Sequence, residues 1–298
     1  MPPGIRGGQP PVCDYEGSDY QTAFWERGER RYEDAVEAIA LRRLLPPRGK
    51  LLLEVGAGAG RNTPRYHNFE RVVLLDFSLS QLQQAQERLG RGKHYVYVAA
   101  DVYSLPFVPG LFDAATMIRA LHHMVEPVAA LGQIREVLQP GAVFILEYAN
   151  KLNLKAIFRY LLGRQAWSPF DRAPVEFAEL NFDFHPAAVR AWLRGLDFDV
   201  QRQLAVSHFR VAPLKRLVPL RLLVALDSLF QWTGALWQLT PSVFLKARAV
   251  GDTPIAPPDA FFRCPECGTA LPEFEERAIE CPNCRRKWEM RDGIYDFK

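Results

Sequence analysis

The apolar run LLLEV at residues 51–55 ends in GAGAG, so Gly56, Gly58 and Gly60 bare the backbone just after Glu54. Glycines at that density leave main-chain N–H groups open to close approach, and a following helix would add its positive end. Such a loop suits a phosphate or a nucleoside. The dinucleotide fingerprint G-x-G-x-x-G needs glycine at position 61, where this chain has Arg61. Two acids follow, Asp76 and Asp101; one carboxylate can accept from both hydroxyls of a ribose. His122 and His123 titrate near neutrality and could take a proton from a phenol or an acidic carbon. Arg119, just before them, could bind a carboxylate or simply face solvent. Near the end, Cys264, Cys267, Cys281 and Cys284 form two CPxC knuckles separated by thirteen residues. Four thiolates at that spacing predict a closed, tetrahedral, structural Zn²⁺ site.

These residues need a frame. LLLEV, RVVLLDF, HYVYVAAD, FDAATMI and AVFILEYA read as five buried strands, and helical patterns separate several of them. Continuous apolar strands alternating with helices predict an α/β fold with a parallel sheet covered on both faces. FHPAAVRAWLRGL reads as a further helix, FDVQRQLAV and SVFLKARAV as further strands. The division expected is a disordered lead-in over 1–19, a main domain over 20–250 with inserts at 150–185 and 212–239, a Pro-rich linker at 251–260 and a zinc ribbon at 261–298. A helix is expected from about 20 to 45, stopped by Pro46 and Pro47.

The spacing E-x-G-x-G-x-G resembles the first motif of class I S-adenosylmethionine-dependent methyltransferases. Asp76 falls where that family places an acid on the donor's ribose, with Phe77 beside it. Asp101 and Val102 fall where it contacts the adenine amino group and ring. FDAATMIRALHHM and VLQPGAVFILEYAN resemble the family's fourth motif and the turn and strand after it. The resemblance runs from about 45 to 150 and returns near 186 to 250. It implies a Rossmann-like seven-stranded sheet and S-adenosyl-L-methionine held by Glu54, Gly56, Ala57, Gly58, Gly60, Asp76, Phe77, Asp101 and Val102. It also places His122, His123 and Arg119 near the transferred methyl. The family's amino-nitrogen branch carries an Asn/Asp-Pro-Pro-aromatic motif where this chain has IRALHH, and no cysteine lies between 14 and 263 to serve as a nucleophile. The expectation is therefore transfer to oxygen or carbon of a small apolar or aromatic acceptor, the nearest look being to the ubiquinone and menaquinone branch. RNA as acceptor, gripped through the ribbon's Arg285, Arg286 and Lys287, and a non-catalytic scaffold are the rival readings.

A net charge of +3 over 298 residues does not by itself argue for nucleic acid. No signal-peptide core and no transmembrane run is apparent, so a reducing, cytoplasmic setting is expected. The aromatic inserts are also basic; they are expected to pack as a lid, with peripheral membrane contact as the alternative.

Overall fold

The computed structural model describes residues 10–13, 16–17, 30–272 and 277–298. The chain opens with helix α1 (Arg31–Leu44), then runs β1 (Gly49–Val55), β2 (Phe69–Asp76), α2 (Leu79–Leu89), β3 (Tyr95–Ala99) and β4 (Phe112–Met117). Helix α3 (Pro127–Val137) leads directly into β5 (Leu138–Ala149). Next come α4 (Leu154–Leu161), a hairpin of β6 (Val175–Ala178) and β7 (Asn181–Asp183), α5 (Pro186–Gly195) and β8 (Phe198–Val206). Helices α6 (Ala212–Leu217) and α7 (Leu220–Phe230) precede β9 (Ser242–Ala249), and β10 (Ala278–Glu280), β11 (Lys287–Arg291) and β12 (Ile294–Asp296) close the chain.

The central sheet has the order β10-β11-β12-β3-β2-β1-β4-β5-β9-β8. From β12 to β5 neighbouring strands are parallel; β9 adds antiparallel to β5, and β8 antiparallel to β9. Seven of these strands match the expected methyltransferase-like sheet. The strand order reverses at β1 and β4, where an open α/β sheet leaves its ligand crevice. One face is covered by α1, α2 and α7, the other by α3 and α5.

Several boundaries differ from the expected ones. The described part of the first helix starts at Arg31; residues 20–29 of the expected helix lie outside the described residues. A 3₁₀ turn at Thr63–Tyr66, rather than a helix, follows the glycine loop. The β6–β7 hairpin was not expected, because its strands span only four and three residues. Of the lead-in, Glu16 is tied down: its carboxylate accepts from the Ser78 hydroxyl and the Ser80 amide.

The C-terminal module continues the main sheet. Strand β12 lies in parallel register on β3, with Tyr295 opposite Val98, and the Phe297 amide donates to Ala99 O. Phe262, Ile279, Trp288 and Phe297 share one core with Phe107 and Val98. The linker is anchored too, through Ala256 N–H to Gly110 O.

Candidate functional site

Backbone strain marks the site first. Gly56, Gly58 and Gly60 all sit at positive φ, near 70°, 52° and 72°. At Gly56 a Cβ would come within 2.6 Å of the Ala120 Cβ, so glycine is required there by space as well as by conformation. The Gly56 and Ala57 amides both donate to Leu75 O, which seats the loop on the end of β2. Asp76 at that same end accepts from the Gly58 amide at 2.7 Å and from the Ser78 amide at 3.0 Å.

Beyond the loop lies a cavity at the crevice between β1 and β4. Its lining includes Gly56, Gly58, Asp76, Phe77, Val102 and Arg119. Ala57, Arg61 and His123 line it as well. Four sequence-predicted residues, Glu54, Gly60, Asp101 and His122, do not. Glu54 is buried beneath the loop and accepts the Thr63 hydroxyl at 2.6 Å, so it braces the loop from behind. Burial pushes its carboxyl up to about 7, against the pull of Thr63 and the nearby arginines. Asp101 follows Ala100, a lining residue, and one carboxylate oxygen accepts from the Tyr103 amide. Its other oxygen takes no hydrogen bond among the described residues, which leaves an acceptor for a ligand donor.

The two histidine rings are tilted against each other with centroids 3.9 Å apart, but of the two His123 lines the cavity. Its Nδ1 lies 3.1 Å from the Leu180 carbonyl, on the β6–β7 hairpin. A carbonyl only accepts, so Nδ1 carries the proton and Nε2 is the basic nitrogen. Burial keeps His123 below the ordinary imidazole range. His122 is driven further down by burial, then by His123, Arg119 and Arg210.

Sequence reasoning missed Glu37. This fully buried α1 carboxylate takes Arg61 at 2.9 Å on one oxygen and Arg119 on the other. Burial raises its pKa, but the two guanidiniums outweigh that and hold it below the usual carboxylate range. Asp34 pairs with Arg61 and Arg65, extending the network. Glu33 and Glu37 share the stripe of Tyr32, Val36, Ala40 and Leu41, and two acids on the buried face of a helix were the available signal. Arg119 is held in a left-handed backbone, φ 56°, by its amide's bond to Glu147.

The four cysteines converge. Their Sγ atoms all lie within 4.8 Å of one another, with Cys264–Cys284 at 3.6 Å and Cys267–Cys281 at 3.5 Å. Each knuckle turns tightly: Gly268 N–H donates to Cys264 O, and Arg285 N–H to Cys281 O. The basic cluster beside them is occupied locally, since Arg285 and Lys287 pair with Glu280 and Arg286 lies over Trp288.

Comparison with known proteins agrees with this frame. A family model described as a methyltransferase domain matches residues 53–146. O-methyltransferase cnsE of Penicillium expansum is 29% identical over 149 residues, covering 45% of this chain and 52% of that protein. A demethylmenaquinone methyltransferase of Clavibacter sepedonicus is 32% identical over 111 residues, covering 37% and 45%. The chain thus spans about half the length of the curated relatives it matches. An S-adenosylmethionine dependent methyltransferase structure from Mesorhizobium loti superposes with a TM-score of 0.55 at 20% identity, over 73% of this chain and 99% of that one, which establishes a shared fold.

Proposed function

Since the chain carries a methyltransferase domain of the class I, S-adenosylmethionine-dependent kind, we propose that it transfers a methyl group to oxygen or carbon of a small apolar or aromatic acceptor. The observation that carries this reading is the glycine loop clasped by Asp76 over a cavity at the sheet's switch point. In the bound state the donor supplies an activated sulfonium methyl. Asp76, tied to the loop, would hold its sugar, Phe77 and Val102 its base, and the second Asp101 oxygen its amino group. Arg61 and Arg119, fixed by Glu37, offer cationic edges to a carboxylate. His123 faces the same cavity as a neutral imidazole and can accept a proton from an acceptor hydroxyl. Most of the rate advantage comes from placement, because such a methyl needs little acid–base help.

The names of the relatives, an O-methyltransferase and a demethylmenaquinone methyltransferase, support a small-molecule acceptor. The ribbon's basic residues are paired within their own module, so no surface observation favours RNA.

Zinc is the metal we propose for the cysteines. Zn–S bonds of ~2.3 Å in a tetrahedron place sulfurs about 3.8 Å apart, close to the 3.5 and 3.6 Å pairs found. All four positions are filled by protein, which makes the role structural.

Calorimetric titration with S-adenosylhomocysteine tests the donor site, and labelled donor with cell-extract fractions tests the acceptor. Binding and label in organic-soluble small molecules are expected. Absence of binding heat overturns the transferase reading; label confined to RNA overturns the acceptor class.

A further inference from the structure

The inserts expose much of their apolar surface. Helix α4 buries only Ala156. Leu154, Phe158, Leu161 and Leu162 stand in solvent, Leu161 at 67% exposure. Across the neighbouring segment Leu217, Leu220, Leu222 and Leu229 are exposed as well, Leu217 at 82%. Helix α7 sends Leu223 and Asp227 inward, onto α1, and turns the rest of its leucine-rich surface partly or fully outward. The 3₁₀ turn after it carries Trp232, and Leu236 and Trp237 follow at 74% and 65% exposure. The start of α4 meets the chain just beyond that turn: the Leu154 amide donates to Leu239 O, and Asn150 Nδ2 donates to Gln238 O and Thr240 O. An apolar surface of this extent normally meets a partner.

Its charge says which partner. Residues 154–164 contain Lys155, Arg159 and Arg164 and no acid. Residues 212–237 contain Lys215, Arg216 and Arg221, and their single acid is Asp227. Asp227 is buried and accepts from Tyr32 Oη and the His208 amide. Lys215 is half-buried and paired with the buried Glu33; the exposed charges of the two stretches, Lys155, Arg159, Arg164, Arg216 and Arg221, are positive.

We propose that the face formed by α4, α6, α7 and residues 231–237 docks on the surface of an anionic lipid bilayer. Leucines and phenylalanines enter the acyl boundary, lysines and arginines meet the headgroups, and the tryptophans lie at the interface, as in other in-plane amphipathic helices. Helices of 8 and 11 residues are too short to cross a bilayer, so they lie in its plane. A second copy of this chain is a poorer occupant, because a two-fold contact would set like charges against each other. An RNA would satisfy the cations and leave the leucines in water.

The segment between this face and the cavity shows what docking serves. The Lys151 ammonium donates to Ala173 O, and His123 holds Leu180, so residues 171–184 span from the α4 side to the cavity histidine. Phe170 and Phe177 are exposed along it. An acceptor dissolved in the bilayer would reach the cavity past Phe170 and Phe177, along a segment that also carries Asp171, Glu176 and Glu179. That consequence rests on the proposed methyl transfer; the docking does not.

The test is flotation of the zinc-loaded full chain with vesicles of phosphatidylcholine plus phosphatidylglycerol, against phosphatidylcholine alone. Flotation with the anionic vesicles, weakened by salt, is expected. The paired substitutions Phe158→Asp with Leu161→Asp, and separately Leu217→Asp with Trp237→Asp, should each cut the floated fraction about fivefold or more. Calorimetric binding of S-adenosylhomocysteine should stay at the wild-type value in both, which shows that they are folded. Wild type that stays at the bottom with anionic vesicles at low salt overturns the proposal. So do substituted proteins that float as well as wild type, or light scattering showing a dimer that the same substitutions break. Wild type that floats yet gives no heat with S-adenosylhomocysteine leaves docking in place and removes the transferase reading.

Discussion

Two residues are held in states that a single substitution can relieve. Glu54 has its carboxyl raised by burial to about 7 from an unfolded value of 4.5. A raised carboxyl is protonated more readily in the folded state, so its contribution is full below pH 4.5 and lost as pH rises through 7. Glu54→Gln keeps an acceptor for Thr63 without the charge. It should stabilise the protein at pH 8 by roughly 2–3 kcal/mol, since each pK unit corresponds to about 1.4 kcal/mol, and by little at pH 4. Denaturant melts at the two pH values read this directly; equal effects at both would show that Glu54 is already charged and satisfied. Arg285 occupies the left-handed backbone position, φ 61°, that Gly268 fills in the first knuckle. Arg285→Gly should raise stability by about 0.5–1 kcal/mol, because the ion pair it gives up, to Glu280, is exposed and worth little. A lowered thermal midpoint would contradict this.

Helix α1 is the element that turns two surface-type residues into cavity residues. Arg61 and Arg119 come from different loops, and Glu37 engages both. Glu37→Gln removes the buried negative charge that two partly buried cations share, a change of the kind that costs about 3–5 kcal/mol. Binding of S-adenosylhomocysteine should weaken roughly tenfold, as a loss of about 1.4 kcal/mol in positioning implies. Thermal denaturation and calorimetry on the same sample check both; unchanged binding with lowered stability would confine Glu37 to a structural role. This arrangement also shows where sequence reasoning stopped. The strands, their parallel order, the glycine loop and Asp76 were legible, because buried strands and a glycine-dense turn leave local patterns. Glu37 was not paired with Arg119 in advance, because a contact over 82 residues leaves no periodic trace. The same limit hid the hairpin behind His123: Leu180 and its neighbours are held by a histidine 57 positions away.

At the scale of the whole molecule, the two parts read as separate from the sequence form one sheet. The linker prolines and the compact cysteine spacing pointed to an appended module, and nothing local reveals that β12 adds to the edge of β3. The consequence is mechanical. Strand β3 ends at Ala99; Ala100 and Val102 line the cavity and Asp101 lies between them, so the strand that presents the residues proposed to bind the base is fixed on its outer edge by the cysteine module. Further contacts run the same way: Gln86 Nε2 donates to Asp292 O, Ser104 Oγ to Pro265 O, and the Lys298 ammonium lies 4.8 Å over the Phe77 ring. If zinc supplies much of the folding energy of so small a module, removing it should loosen β3 along its length. Chelation of the intact chain is therefore expected to weaken binding of S-adenosylhomocysteine by tenfold or more, and to speed amide exchange in residues 95–105 as well as in 277–298. Cys281→Ser should reproduce both effects without chelator, and stoichiometric zinc should reverse the first in wild type only. Faster exchange restricted to 277–298, with binding unchanged, would mean that β3 holds its shape unaided and that the module is a passenger on the sheet.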